Sequence, residues 1–144
     1  MFYIGFTTGA RTDEDGWHHA EGELTLGEAR EGFRSDLGTW SMRDYEAHWR
    51  DAVSRLLSGK PCSVLITSYR GPGADYHFAW PMWRDGQAVY VQERLLFAEP
   101  LPRPFDPAAA WDLVGERVMM GEDGEHISEW RVPLGHLAAY LLDE

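Results

Sequence analysis

Residues 76–95, YHFAWPMWRDGQAVYVQERL, decide the fold that this sequence predicts. Apolar and aromatic residues alternate along Tyr76–Trp83, and apolar and polar residues alternate again along Val89–Leu95. Between the two runs, Asp85 and Gly86 are a strong signal for a β-hairpin with a type I′ turn, because that turn needs two residues that tolerate positive φ. The stretch therefore predicts two adjacent antiparallel strands.

The neighbouring sequence extends this hairpin into a larger sheet. Val64–Tyr69 is β-branched and apolar, and the Gly/Pro loop Arg70–Asp75 joins it to the hairpin as a third strand. Pro81 cannot donate a ladder hydrogen bond, so it should lie at a sheet edge or a bulge. The other segments are predicted as strands at Phe2–Phe6, Glu21–Leu26 and His126–Val132, and as irregular structure at Gly27–Gly38.

One segment has strong helix signals at both ends. Ser41 can cap a helix, and Asp44 sits three residues later, where a capping-box acid belongs. The helix should end at Gly59 and Pro61. Its apolar stripe consists of Tyr45, Trp49, Ala52, Val53 and Leu56.

The C-terminal part should add helices after an extended connector at Pro100–Pro104. Asp106 and Pro107 begin a second helix, with Pro at the first helical position, and Leu134–Leu142 forms a closing helix. The inward residues of the second helix are Ala110, Trp111 and Val114. Together these elements predict one α+β domain over residues 1–144, with a mostly antiparallel sheet of about five strands, a central-sequence helix and C-terminal helices packed on it.

Aromatic residues fall into two groups by position. Those on apolar faces are expected in the core: Trp49, Phe78, Trp80 and Trp111. Those in or beside loops are expected to be packed loop anchors or interface residues: Trp17, Trp40 and Trp83.

Composition limits the classes of partner. The 144 residues include 24 Asp and Glu against 13 Lys and Arg, which gives a net charge of −11, and the pI is near 4.9. Affinity for nucleic acids comes largely from Lys and Arg at phosphates, so neither nucleic acid nor an anionic membrane is an expected partner. An acidic surface instead favours a basic protein, or serves solubility alone. A single cysteine, Cys62, and an apolar start too short for a secretory core favour a reducing cytoplasm.

Residues able to support catalysis do not form a recognisable motif. Adjacent histidines such as His18 and His19 point to opposite faces of a strand, and Cys62 could pair with His77 or His126 but lies in no nucleophile motif. No catalytic, cofactor-binding or metal-ligating residue is therefore predicted. The alternative is a small metal-dependent hydrolase that uses the His/Glu-rich loops around His18, His19 and His126.

Short motifs along most of the chain resemble a family of bacterial contact-dependent growth inhibition immunity proteins. The first is Trp40-Ser41 followed by Asp44-Tyr45 and Trp49. The others, in the family's order, are Thr67-Ser68-Tyr69, Trp80 with Trp83, Val89-Tyr90-Val91-Gln92, Leu96-Phe97, Gly124 and Ile127-Ser128-Glu129-Trp130.

The resemblance implies a cytoplasmic, non-enzymatic protein that binds a cognate toxin, usually a nuclease and often basic, and blocks its active site or substrate groove stoichiometrically. It implies no cofactor, and a monomer or a 1:1 complex with the toxin. Gln92 with the Ser128-Glu129-Trp130 motif could form an internal polar contact or part of the binding face. We expect the acidic segments to contact the toxin through Asp13, Glu14, Asp15, Glu21, Glu23, Glu28, Glu122, Asp123 and Glu125.

Overall fold

The computed structural model describes residues 1–98 and 105–142, which form two antiparallel sheets and three helical segments. The connector predicted at Pro100–Pro104 lies outside the described residues. Within the described part, no helix is long and apolar enough to cross a membrane. The α+β class predicted from the sequence is confirmed.

Sheet I contains four strands built around the long central strand β3. Strands β1 and β2 pair along one side of β3, and β4 pairs along the other side. Their bounds are β1 Phe2–Phe6, β2 Arg11–Thr12, β3 His18–Leu26 and β4 Ala29–Asp36. One face buries Ile4 and Leu24 in the core, whereas the other face carries Glu21, Glu23 and Arg34.

Sheet II contains the hairpin predicted from residues 76–95. Its order is β5-β6-β7-β9, with β8 also paired to β6. The bounds are β5 Cys62–Ser68, β6 Tyr76–Asp85, β7 Ala88–Gln92, β8 Arg94–Phe97 and β9 Glu129–Pro133. One face of the sheet, called here the first face, carries Tyr76, Phe78, Trp80 and Met82 of β6, and the second face carries His77, Ala79 and Trp83.

Strands β7 and β8 pair with β6 one after the other, and the register is the same in both. Met82 lies opposite Val91 and Ala79 opposite Arg94, which places Pro81 opposite Gln92 at the break between the two strands. Pro81 is thus in an interior strand, so its predicted place at an edge or bulge is wrong. The position tolerates proline because the ladder is interrupted there and no N–H is needed.

Helix α1, Met42–Leu57, hydrogen-bonds to the backbone of β5 along the edge that pairs with no strand among the described residues. Trp49 Nε1 donates to the carbonyl of Ile66 at 2.8 Å, and the N–H of Ile66 donates to His48 Nε2 at 2.8 Å. The predicted capping box is present, since Ser41 Oγ accepts from the Asp44 N–H and Asp44 accepts from the Ser41 N–H. A sheet edge that would otherwise be open to pairing is therefore closed by helix side chains.

The other two helical segments lie toward the C-terminus. Helix α2, Leu134–Leu142, packs on α1 and β1, and the rings of Phe2 and Tyr140 meet edge to face at 5.5 Å. Pro107–Leu113 is a 3₁₀ helix with a kink at Ala109, capped by Asp106 as predicted, and it packs against β5. All five predicted inward residues of α1 are buried.

Several sequence predictions are wrong in detail. Gly27–Gly38 contains the regular strand β4 instead of irregular structure, because an edge strand with one solvent face can carry charges and glycine without apolar alternation. The hairpin turn is centred on Gly86 and Gln87, and only Gly86 (φ 61°) has positive φ, a pattern typical of type II′ rather than type I′. Of the predicted strand His126–Val132, only the part from Glu129 is paired in sheet II.

Two aromatic predictions also need correction. Phe78 is 46% exposed rather than buried, and Trp111 is half-buried with the Arg55 guanidinium 3.7 Å from its ring centroid. Trp49 and Trp80 are buried as predicted. Trp17 and Trp83 anchor loops, as their Nε1 groups donate at 3.0 Å to the Asp36 carboxylate and the Gly115 carbonyl.

Candidate functional site

The loop that precedes β9 is fixed to the second face of sheet II by a polar network. Arg117 binds the Glu129 carboxylate through Nε at 2.6 Å and through Nη2, and its guanidinium stacks on the Tyr90 ring at 3.7 Å. Gln92, fully buried, donates to Glu129 at 2.7 Å and accepts from Arg94 at 2.6 Å. The Arg117 hydrogen bonds lower the pKa of Glu129. Of the two roles left open for Gln92 and the Glu129 motif, the structure therefore shows the internal polar contact.

Above this network the loop forms a small hairpin-like tip, which we call the acidic tip (residues 118–126). Met120 and His126 form a β-bridge, and the Gly121 N–H donates to the Glu125 carbonyl at 2.7 Å. The predicted contact residues Glu122, Asp123 and Glu125 are all exposed there. Asp123 accepts from the Glu125 N–H at 3.2 Å, which shapes the turn. The exposed side chains of Val118, Met119 and Met120 lie directly before these acids.

A second group of predicted contact residues lies in the turn between β2 and β3. Asp13 accepts from the N–H groups of Asp15 and Trp17, both at 2.9 Å, so its carboxylate holds the turn together. The side chains of Glu14 and Asp15 are exposed. Trp17 stacks on His19 at 4.5 Å between ring centroids and fixes the turn on sheet I.

The remaining predicted acids lie along or after β3. Glu21 forms cross-strand ion pairs with Arg34 at 3.3 Å and Arg11 at 4.0 Å, so its charge is already compensated. Glu23 lies on the same face of sheet I. Glu28 is exposed in the β3–β4 turn, at the opposite end of β3 from Asp13, a separation of roughly 25 Å at the rise of a β-strand. The nine predicted residues thus occupy separate regions rather than one continuous patch.

The structure forms a cleft between the two sheets that the sequence did not predict. Its volume is about 610 Å³, and its lining includes Phe33 of β4, Thr67 and Ser68 of β5, Phe78, and Glu93. Partial burial and the nearby charge of Glu31 raise the pKa of Glu93. The one sequence feature that pointed to this cleft was the strand alternation, which placed Phe78 on an apolar face but did not show what would cover it.

Residues considered for catalysis are held apart or engaged in structural contacts. His18 Nδ1 shares a hydrogen bond with Thr12 Oγ1 at 2.6 Å, and His126 lies in the acidic tip. Cys62 lies opposite Trp83, six residues along β6 from His77, so the structure separates Cys62 from His77, one of the two bases that the sequence offered without predicting a catalytic pair. Within residues 1–98 and 105–142, no three His, Cys, Asp or Glu side chains come together in a metal-binding arrangement.

Two histidines have strongly lowered pKa values. Burial lowers the pKa of His48 to about 4, and burial with the charge of Arg70 lowers the pKa of His77 to about 4. His48 accepts from the Ile66 N–H, and His77 Nδ1 accepts from the Arg70 N–H at 3.0 Å while its ring stacks on Phe105 at 4.4 Å. Both rings are therefore neutral structural groups near pH 7.

Comparison with known proteins identifies relatives along almost the whole chain. The chain is 27% identical over 135 residues to the immunity protein CdiI of Enterobacter cloacae subsp. cloacae, an alignment that covers 93% of this chain and 92% of the relative. Its structure resembles a chain in the CdiA-CT/CdiI toxin and immunity complex from Enterobacter cloacae, with a TM-score of 0.90, 25% identity and coverage of 99% and 97% of the two chains. The family model of the CdiI N-terminal domain matches residues 35–140. This chain therefore belongs to the CdiI N-terminal domain family.

Proposed function

We propose that this protein is an immunity protein that binds and neutralises a cognate contact-dependent growth inhibition toxin. The observation that carries the proposal is the agreement in structure, TM-score 0.90 over 99% of the chain, with a chain of a toxin and immunity complex. The 27% identity to an immunity protein over nearly the full length of both chains supports the same function. Residues 1–144 would then act as one immunity domain.

We further propose that neutralisation is stoichiometric. The protein would form a 1:1 complex in the cytoplasm, cover the active site or substrate groove of a nuclease toxin, and catalyse no reaction itself. The charge of −11 supports this proposal, because a nuclease binds phosphates and so presents a positive surface that an acidic protein can occupy.

The acidic residues predicted to contact the toxin remain our proposal for the surface that guides association. They are Asp13, Glu14, Asp15, Glu21, Glu23, Glu28, Glu122, Asp123 and Glu125. Glu14 and Asp15 in one region, and Glu122 and Glu125 in another, offer exposed carboxylates whose side chains make no ion pair among the described residues. These four are the sharpest test, because Asp13, Asp123 and Glu21 also have structural contacts.

The first experiment asks whether the protein protects. The toxin domain encoded beside it is expressed in a sensitive strain with and without this protein, and the two purified proteins are mixed for sedimentation analysis. We expect restored growth and a 1:1 complex. Toxicity that persists with every neighbouring toxin domain would refute the immunity function.

A second experiment tests the acidic surface. We compare Glu14→Lys/Asp15→Lys and Glu122→Lys/Glu125→Lys with a control in helix α1, Glu46→Lys/Asp51→Lys, which changes the net charge equally. Charge reversal in a contact region should slow association by roughly tenfold at low salt and less at high salt. If all three double variants associate at the same rate, net charge rather than these residues governs the encounter.

A further inference from the structure

Three exposed apolar side chains lie beside the half-buried Tyr76 on the first face of sheet II. The cross-strand pairs Tyr76 with Phe97 and Phe78 with Leu95 place them side by side. Phe78 is 46%, Leu95 42% and Phe97 60% exposed. We call these four residues the apolar strip.

The same face of sheet II is buried farther along, where β7 pairs with β6. Val89 and Val91 occupy equivalent positions in the continuous register, and both are completely buried. The strip begins at the cleft between the sheets, where Phe78 and Glu93 lie opposite Phe33 of β4. Aromatic and leucine side chains that alternate as core residues but stay exposed form the kind of patch that marks an interaction site.

Two carboxylates border the strip and make no ion pair within the described part of the chain. Glu93 lies in the same row as Val91 and Leu95, and Glu31 is close enough across the cleft for its charge to raise the pKa of Glu93. Neither forms an ion pair with any described residue. The cations beside the strip are already engaged. Arg34, in the lining of the cleft, pairs with Glu21 at 3.3 Å. Arg70 stacks on Tyr76 at 4.2 Å and pairs with Asp75 at 3.5 Å.

We propose that the apolar strip, with Glu31 and Glu93, is the docking site for a toxin segment that carries an apolar side chain next to a lysine or arginine. The apolar side chain would cover Phe78 and Leu95, and the cation would enter the cleft beside Glu93, where Glu31 adds negative charge. This inference rests on the proposed immunity function. Of the nine acidic residues predicted to contact the toxin, the cleft lining includes Glu21, and the apolar strip with Glu31 and Glu93 adds a further surface.

A second copy of this chain fits the strip less well than a basic partner. A two-fold contact through the strip would place the same surface on both sides of the interface. It would bring two copies of Glu31 and Glu93 together in a chain that already has a charge of −11. Like charges brought together across an interface oppose association, whereas a basic toxin segment would compensate them.

The test measures toxin affinity for Phe97→Ser, which removes apolar surface, and for Glu93→Lys, which reverses the charge. Leu142→Ser on α2, 86% exposed, and Glu46→Lys on α1 are the matched controls. The altered side chains are exposed, so thermal unfolding should change little. We expect each strip variant to bind at least roughly tenfold more weakly, as at an interface hot spot, and the controls to bind like the wild type. Hydrogen exchange should slow along β8 and around Phe78 when the toxin binds.

Other outcomes distinguish failure of this docking site from failure of the proposed immunity function. If the wild type binds the toxin and both strip variants bind equally well, the strip is not the docking site and the immunity function stands. If the wild type neither binds nor protects, both proposals fail. A wild-type dimer that Phe97→Ser converts to monomer, with toxin affinity unchanged, would assign the strip to a second copy and overturn the inference.

Discussion

The network beneath the acidic tip predicts a large cost for a single substitution outside the hydrophobic core. Glu129→Ala removes the carboxylate that Arg117 and the Gln92 amide share. The change leaves a partly buried guanidinium without its acceptor, since the Arg117 side chain is only 27% and the Glu129 side chain 12% exposed. It also removes one of the two acceptors of the buried Gln92 amide, which keeps its bond to the Val118 carbonyl at 3.0 Å. Breaking a buried pair costs about 3 to 5 kcal/mol, and the partial exposure of Arg117 reduces our expectation to about 2 to 3 kcal/mol.

Thermal unfolding of purified protein measures this cost. For a chain of this length, about 2 to 3 kcal/mol corresponds to a Tm lower by roughly 4 to 12 °C. The control Glu125→Ala removes an exposed carboxylate from the same loop and should shift Tm by less than about 2 °C. The pKa of Glu129 is lowered in the folded state, so its contribution is present above the ordinary glutamate pKa and is lost as pH falls through the folded value. Equal Tm values for Glu129→Ala and the wild type at pH 7 would refute the reasoning.

Three further predictions concern α1 and its contact with β5. The pKa of His48 is near 6.5 in the unfolded chain but about 4 in the folded chain, so this residue should lower the free energy of unfolding by about 2 kcal/mol between pH 7 and pH 5. In denaturant titrations, the free energy of unfolding of His48→Gln should depend less steeply on pH over this range. Ser41→Ala removes the capping-box acceptor and should cost about 1 kcal/mol in urea unfolding; an unfolding free energy equal to that of the wild type would contradict this. Trp49→Phe keeps an aromatic ring but leaves the Ile66 carbonyl without its donor, so calorimetry should show a loss of about 1 to 3 kcal/mol; an unchanged Tm would show that this bond contributes nothing net.

The parts of the fold that the sequence predicted are those that local chemistry specifies. Ser41 and Asp44 form their capping box wherever the helix packs, and Gly86 supplies positive φ to the hairpin whichever turn type results. The 3.6-residue spacing from Tyr45 to Leu56 identified the buried face of α1 completely. In each case the determining residues lie within a few positions of one another.

The parts that the sequence did not predict depend on distant partners. Strand β4 has little apolar alternation of its own and is ordered by its ladder with β3, an interaction that no local pattern records. Pro81 is tolerated inside sheet II only because the β7–β8 break lies opposite it. Likewise, nothing near Glu93 in sequence indicates that Glu31 approaches it from the other sheet.

The apolar strip shows where the two kinds of information meet. Strand alternation predicted one row for Val89, Val91 and Leu95 and another that includes Phe78, and the register of the structure shows that both rows share one face. Alternation states that a face is suited to burial, but burial itself depends on a second surface, and here sheet I covers only part of the face. When a complementary surface covers an exposed apolar side chain and removes it from water, the free energy falls and binding is favoured. Acidic residues also serve solubility, whereas exposed aromatic residues do not. In a protein proposed to act only by binding, apolar residues that alternate like core residues but stay exposed therefore indicate the docking surface more strongly than charge alone.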